Sequence, residues 1–238
     1  MNKFEKIWKN GKWTEQARDL IEGLKNFPEN AKIVLILRHS HRKTSVDPHK
    51  LSSLKLTPQG HEIAKIFGKN LPKNRKVRLF HSIVERCKET AEGILEGFKE
   101  IGGKGEIVGT LQALYDIGED SIFIIQKAIE HSGDGFLAKW ASGKFSRDKI
   151  KPLDEYSQYS AIEIWGLCEN APEGCLDIHV SHDLSIMGFR LGWFGLENKD
   201  YWVSFLGGFA FSIYNDKIKL WDRGRMLELD IPDWWKNR

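Results

Sequence analysis

Three short apolar runs in this chain each end on side chains able to hold an anion. "IVLIL" (33–37) leads into Arg38, His39, Ser40, His41 and Arg42; "VRLF" (77–80) leads into His81, Ser82 and, a few residues on, Arg86; "DIHV" (177–180) leads into Ser181, His182 and Asp183. Guanidinium groups are planar, permanently charged forks that match phosphate oxygens two at a time. Two of these groups also sit where a helix is expected to begin, and the unpaired N–H groups of a helix start attract anions. The chemistry this points to is the binding of a phosphate.

Such residues meet only if the runs are neighbouring strands. "KIVLIL" is continuous and rich in β-branched residues, the pattern of a strand covered on both faces, hence of a parallel sheet with helices on either side. "KVRLF" (76–80) and "LDIHV" (176–180) are weaker strands of the same kind. Between them, Thr57 before Pro58 reads as the cap and first turn of a helix continuing through "QGHEIAKIFGKNL". In "VERCKETAEGILEGFKE" the residues Val84, Cys87, Ala91, Ile94, Leu95 and Phe98 make one apolar helix face. "FAFSIYNDKIKLWD" reads as a hairpin turning at Asn215 and Asp216. The expected fold is α/β, a three-layer sandwich with a mostly parallel central sheet and helices on both faces. In such sheets ligands collect beyond the carboxyl ends of the strands, which is where the basic residues fall. Residues 115–170 mix helix-like patterns ("SIFIIQKAIEHSG", "YSQYSAIEIWGL") with polar loops and read as a small helical insertion over the site.

The 238 residues, 41 % hydrophobic, suit one domain spanning 1–238. Thirty-six Lys and Arg against 33 Asp and Glu leave a charge of +3 with no long basic block, so no nucleic-acid partner is expected. No run approaches the ~18 apolar residues of a membrane span, and the first residues lack the apolar stretch of a signal peptide. Cys87, Cys168 and Cys175 form neither a disulfide framework nor a zinc knuckle. A soluble, cytoplasmic protein without membrane partner is expected. No sequence feature bears on oligomeric state.

"LRHSHR" followed by "LTPQG" (56–60), "HSIVERCKETA" (81–91) and "VSHD" (180–183) together resemble the motifs of the histidine phosphatase superfamily, the phosphoglycerate mutase-like fold. The likeness runs in order from about residue 33 to 190. It implies that His39 is the nucleophile that takes the phosphoryl group, that Arg38, Arg86 and His182 hold its oxygens, and that Arg42 matches the second arginine of the acid-phosphatase branch. His182-Asp183 matches that branch's His-Asp pair, making Asp183 the proton donor. Ser40 replaces the family's glycine and Thr44 the acid-phosphatase proline. The glutamate of the mutase branch falls on Leu114, which leaves Glu119 and Asp116 as alternative acids.

A neutral imidazole suits this chemistry, because a phosphomonoester dianion repels anionic nucleophiles and imidazole attacks without prior deprotonation. The leading expectation is a metal-independent, cofactor-free phosphatase acting on a small phosphorylated substrate through a phosphohistidine. Three alternatives stand beside it. A mutase-like phosphotransferase shares the fold. A metal-dependent hydrolase could use His39, His41, His182 and Asp183, although Arg38, Arg42 and Arg86 would repel a cation. A non-catalytic phospho-ligand module would fit the glycine-to-serine change. His41 and His81 are expected to support rather than to contact substrate, and the tryptophans of "YWVSF" and "DWWKNR" to pack. Substrate choice falls to 115–170.

Overall fold

The computed structural model describes residues 2–45, 47–197, 201–214 and 216–236. Each apolar run becomes a strand: β1 (Ile33–Arg38), β2 (Val77–His81) and β4 (Leu176–Ser181), with β3 (Gly105–Thr110) between the latter two in sequence. Helices α1 (Lys3–Asn10) and α2 (Glu15–Gly23) precede β1; α3 (Pro58–Lys69) and α4 (Glu85–Glu100) follow β1 and β2. After β3 come α5 (Ser121–Glu130), α6 (Ser132–Ala141) and α7 (Leu153–Glu169); β4 leads into α8 (Asp183–Phe194), and β5 (Gly208–Tyr214), β6 (Lys217–Asp222), β7 (Arg225–Asp230) and α9 (Asp233–Lys236) complete the order.

The strands form one sheet in the order β3-β2-β4-β1-β5-β6-β7. Only β3, β2, β4 and β1 are parallel; β5, β6 and β7 extend the sheet as an antiparallel meander. The expectation of a mostly parallel sheet therefore holds for the core and not for this edge. The β6–β7 turn explains why the last strand escapes a sequence reading: Arg223 and Gly224 both take positive φ (53° and 76°), so a hairpin turn is made without an Asn-Gly or Asp-Gly signal. The expected β5–β6 hairpin is present; of its turn, Asn215 lies outside the described residues.

Alternation along β1 splits the core in two. Ile33, Leu35 and Leu37 pack with Leu20, Ile63, Phe67, Ile94 and Phe98 beneath α2, α3 and α4, whereas Val34 and Ile36 pack with Tyr156, Ile164, Trp165, Ile186 and Phe189 beneath α7 and α8. This is the three-layer α/β arrangement. Register then brings the polar strand ends together. Arg38 pairs with Ser181 and His81 with Val180, while His39 N–H donates to the Ser181 carbonyl (3.0 Å) and Ser82 N–H to the Val180 carbonyl (3.0 Å).

Candidate active site

Arg38, His39, Arg42, Arg86, His182 and Asp183 all line one pocket of about 420 Å³ at the carboxyl edge of the parallel strands. His39 sits on the turn after β1 and is 2 % exposed. Its ring Nδ1 lies 2.8 Å from the Ser40 carbonyl oxygen. A carbonyl can only accept, so Nδ1 carries the proton and Nε2 keeps its lone pair. Burial, then the charge of Arg86, the neighbouring His182 ring and Arg38, hold the His39 pKa well below its ordinary value. The imidazole is therefore neutral at neutral pH, the form that can attack.

The loop that carries His39 is braced from below. Ser40 N–H donates to Thr90 Oγ1 on α4 (2.9 Å), and Ser40 Oγ donates to the Gly60 carbonyl (2.7 Å) in the first turn of α3. Ser40 is not among the positive-φ residues, so the serine occupies the family's glycine position without strain and turns its hydroxyl out of the pocket. Thr57 caps α3 by accepting from Gly60 N–H (3.0 Å), with Pro58 in the first turn, as the sequence predicts.

Around His39 stand the charged groups. Arg86, on the first turn of α4, donates to the Leu51 and Ser52 carbonyls (3.0 and 3.1 Å) and to His182 Nδ1 (3.2 Å). Because an arginine only donates, His182 Nδ1 is the acceptor and its Nε2–H faces Ser82 Oγ at 2.9 Å. Burial and the Arg86 charge push the His182 pKa down to about 3. Arg38 is held by the Val203 carbonyl (2.9 Å), by Asp183 (2.7 Å) and by the Phe205 ring beneath its guanidinium (4.5 Å). Arg42 donates to the Lys43 carbonyl (2.8 Å), and burial, then Arg38, lower its pKa. Buried Nε atoms of Arg38 and Arg86 have no partner. Three guanidinium groups thus share a pocket with one carboxylate, an imbalance that an incoming dianion would relieve.

Asp183 opens α8. Burial raises its pKa, but the Arg38 charge, His182, and hydrogen bonds from Leu184 N–H and the Trp202 indole outweigh burial and leave it below its ordinary value. With Arg38 as its partner the carboxyl is ionised at neutral pH. Neither Asp116 nor Glu119 lines the pocket; Asp116 pairs with Lys151 (2.5 Å). Leu114, at the position of the mutase glutamate, is fully buried. His41 turns to Thr57 Oγ1 (2.9 Å) and packs near Trp13 and Phe205, away from the pocket, and His81 turns its Nδ1 to the Ser82 carbonyl (2.8 Å). The quartet of a metal hydrolase does not converge: among the described residues no group of three or more His, Cys, Asp or Glu stands in a metal-holding arrangement. Cys87 lies 3.6 Å from His182 Nε2, but burial pushes its thiol up to about 12, so it stays protonated.

Several contributors were not legible in the sequence. Trp202, expected only to pack, lines the pocket with its indole N–H 3.4 Å from Asp183. Phe205 and the Val203 carbonyl position Arg38 from nearly the other end of the chain. No local pattern marks these residues, because their role depends on β5 returning beside β1.

No family model and no curated protein matches the chain. Solved structures do. Phosphoserine phosphatase from Entamoeba histolytica in complex with 3-phosphoglyceric acid is similar at 17 % identity, covering 85 % of this chain and 98 % of that one with a TM-score of 0.53. A mycobacterial glucosyl-3-phosphoglycerate phosphatase, solved with VO3, is similar at 16 % identity, covering 85 % of this chain and 100 % of that one, TM-score 0.53. Mycobacterial hydrolase 1 is similar at 15 % identity over 84 % and 98 %, also at 0.53. The chain shares the fold of these three structures.

Proposed function

We propose that this protein is a metal-independent phosphatase of the histidine phosphatase superfamily, hydrolysing small phosphomonoesters through a phosphohistidine on His39. The observation that carries the reading is the state of His39: buried, neutral, with Nδ1 committed to the Ser40 carbonyl and Nε2 free inside a ring of Arg38, Arg42 and Arg86. Substrate phosphate displaces the mutual repulsion of these guanidiniums, each charged hydrogen bond contributing ~1.5–3 kcal/mol. Nε2 attacks phosphorus in line with the leaving oxygen, the P–O bond breaks, and the Nε2–P bond forms while the arginines hold the equatorial oxygens. His182, kept neutral, donates through neither charge nor metal but through the N–H that Ser82 now occupies.

The leaving alkoxide takes a proton from Asp183. That role requires the bound phosphoryl group to take over the Arg38 N–H groups, because loss of this ion pair lets burial raise the carboxyl pKa. Water then attacks phosphorus, Asp183 accepts its proton, and the Nε2–P bond breaks to release phosphate and free imidazole. A phosphatase is favoured over a mutase because Leu114 holds the place of the mutase acid and because two of the three neighbours above are named as phosphatases.

The test is a panel of phosphorylated metabolites assayed for phosphate release with and without orthovanadate or a chelator. Inhibition by vanadate and indifference to chelator are expected. Activity lost to chelator and restored by zinc or manganese would move the assignment to a metal hydrolase; no turnover of any phosphomonoester would leave only a binding module.

A further inference from the structure

We infer that the leaving group of the substrate is an uncharged hydrocarbon-rich body rather than a polar sugar, amino acid or carboxylate, an inference that rests on the phosphatase reading. The pocket is lined by two unlike sets of residues. Its histidines, arginines and carboxylate form the phosphate-binding set just described, and beside them Ser52, Tyr115, Ser121 and Ser185 offer only uncharged polar groups. The other set is Ile117 and one face of α5, where Ile124, Ile125, Ala128 and Ile129 recur at the i, i+1, i+4, i+5 spacing of a single helix face. Leu51, Val84 and Leu184 line the pocket as well.

This face is not ordinary core. Only Ile124 is buried, Ile125 and Ala128 are half-buried, and Ile129 is 63 % exposed, while the charged side chains of the same helix, Lys127 and Glu130, pair with each other at 2.6 Å outside the pocket lining. A helix that turns isoleucines towards a cavity lined also by arginines has the polarity of an amphiphile site: a head that needs a dianion and a wall that gains by excluding water from hydrocarbon. An ammonium or carboxylate on the leaving group would find no oppositely charged side chain on this face and would have to be desolvated against it. The neighbours named for phosphoserine and glucosyl-3-phosphoglycerate act on polar molecules, so the expected preference of this chain differs from theirs. The volume of about 420 Å³ lies in the range of small-molecule sites.

Binding of alkylphosphonates to the wild-type protein tests this without turnover. In the methyl-, butyl- and hexylphosphonate series each added methylene should tighten binding about three- to fourfold, so that hexyl exceeds methyl by ~10²-fold or more. 2-Aminoethylphosphonate and phosphonoacetate should bind no better than methylphosphonate. Ile129→Asp, at an exposed position, should flatten the chain-length dependence, and Ala128→Asp should do the same. Methylphosphonate binding with no gain on lengthening, or tightest binding by a charged analogue, overturns the inference and leaves the phosphatase reading standing. Failure of every phosphonate and of inorganic phosphate to bind overturns both.

Discussion

At the scale of single residues the proposed mechanism divides the labour between a nucleophile, a cationic cradle and an acid. Arg86 bonds His182 and two carbonyls while its Nε stays unpartnered, so Arg86→Ala removes a charge from both ground and transition states. A fall in kcat/KM of roughly 10²-fold is expected for a loss of ~2–3 kcal/mol, and a change below about threefold would return Arg86 to a purely structural role. Asp183 is tested by leaving-group chemistry, because an acid matters only when the departing oxygen is strongly basic. Asp183→Asn should slow hydrolysis of alkyl phosphates by roughly 10²-fold and that of p-nitrophenyl phosphate far less. Equal losses on both substrates would mean that the carboxylate serves to hold Arg38. All six residues assigned a site from the strand ends line the same pocket, and this much was legible because each follows a strand-like run, continuous in "IVLIL" and weaker in "VRLF" and "DIHV". The ion pair that keeps Asp183 ionised was not legible, since it depends on a side-chain approach between β1 and α8.

At the scale of elements, the motif "LTPQG" has a packing reason. The first turn of α3 lies against the loop carrying His39 so closely that a Cβ on Gly60 would stand 2.0 Å from the His41 carbonyl oxygen. Gly60→Ala must push this loop or the helix start aside, a strain of ~1–3 kcal/mol. Its kcat/KM should fall about tenfold or more alongside the lower thermal midpoint, whereas Thr57→Ala, which removes the cap and the hydroxyl contacts to His41 but forces no backbone aside, should cost ~1–2 kcal/mol of stability. Unchanged kinetics in Gly60→Ala would show that this contact does not position His39. The strands and the two helices flanking this loop were readable from periodicity. The edge strand β3 was not: its burial alternates between half-buried and exposed, and glycines interrupt it, leaving no continuous run to find. The segment 115–170 has the sequence pattern of a cover, and its parts go to different places. α5 lines the pocket, while α7 buries Tyr156, Ile164 and Trp165 in the core. A helix pattern alone carries no record of which face of the sheet it meets.

At the scale of the whole molecule, one buried group opposes stability in acid. His179, central in β4, stacks on Phe80 (4.7 Å between centroids) with both ring nitrogens unpartnered, and burial, then Arg78, push its pKa down to about 3. The unfolded chain binds a proton there below its ordinary value of ~6.5, which the folded chain does not, so stability is whole above that pH and is lost as pH falls towards 3. Each unit of the difference is worth ~1.4 kcal/mol. His179→Leu should therefore shallow the decline in unfolding free energy between pH 7 and 4 in urea titrations. An unaltered decline would assign acid sensitivity to His39 and His182 instead.

The central claim is that His39 becomes phosphorylated during turnover, and the most direct measurement is to quench the enzyme in base within one turnover of a phosphomonoester and map the phosphoryl group by mass spectrometry. One phosphoryl group per chain on the His39 imidazole is expected, stable in base, lost in acid, and absent from His39→Ala, which should still bind inorganic phosphate. A burst of product with no phosphorylated residue, phosphorylation elsewhere, or substantial turnover by His39→Ala would contradict the account.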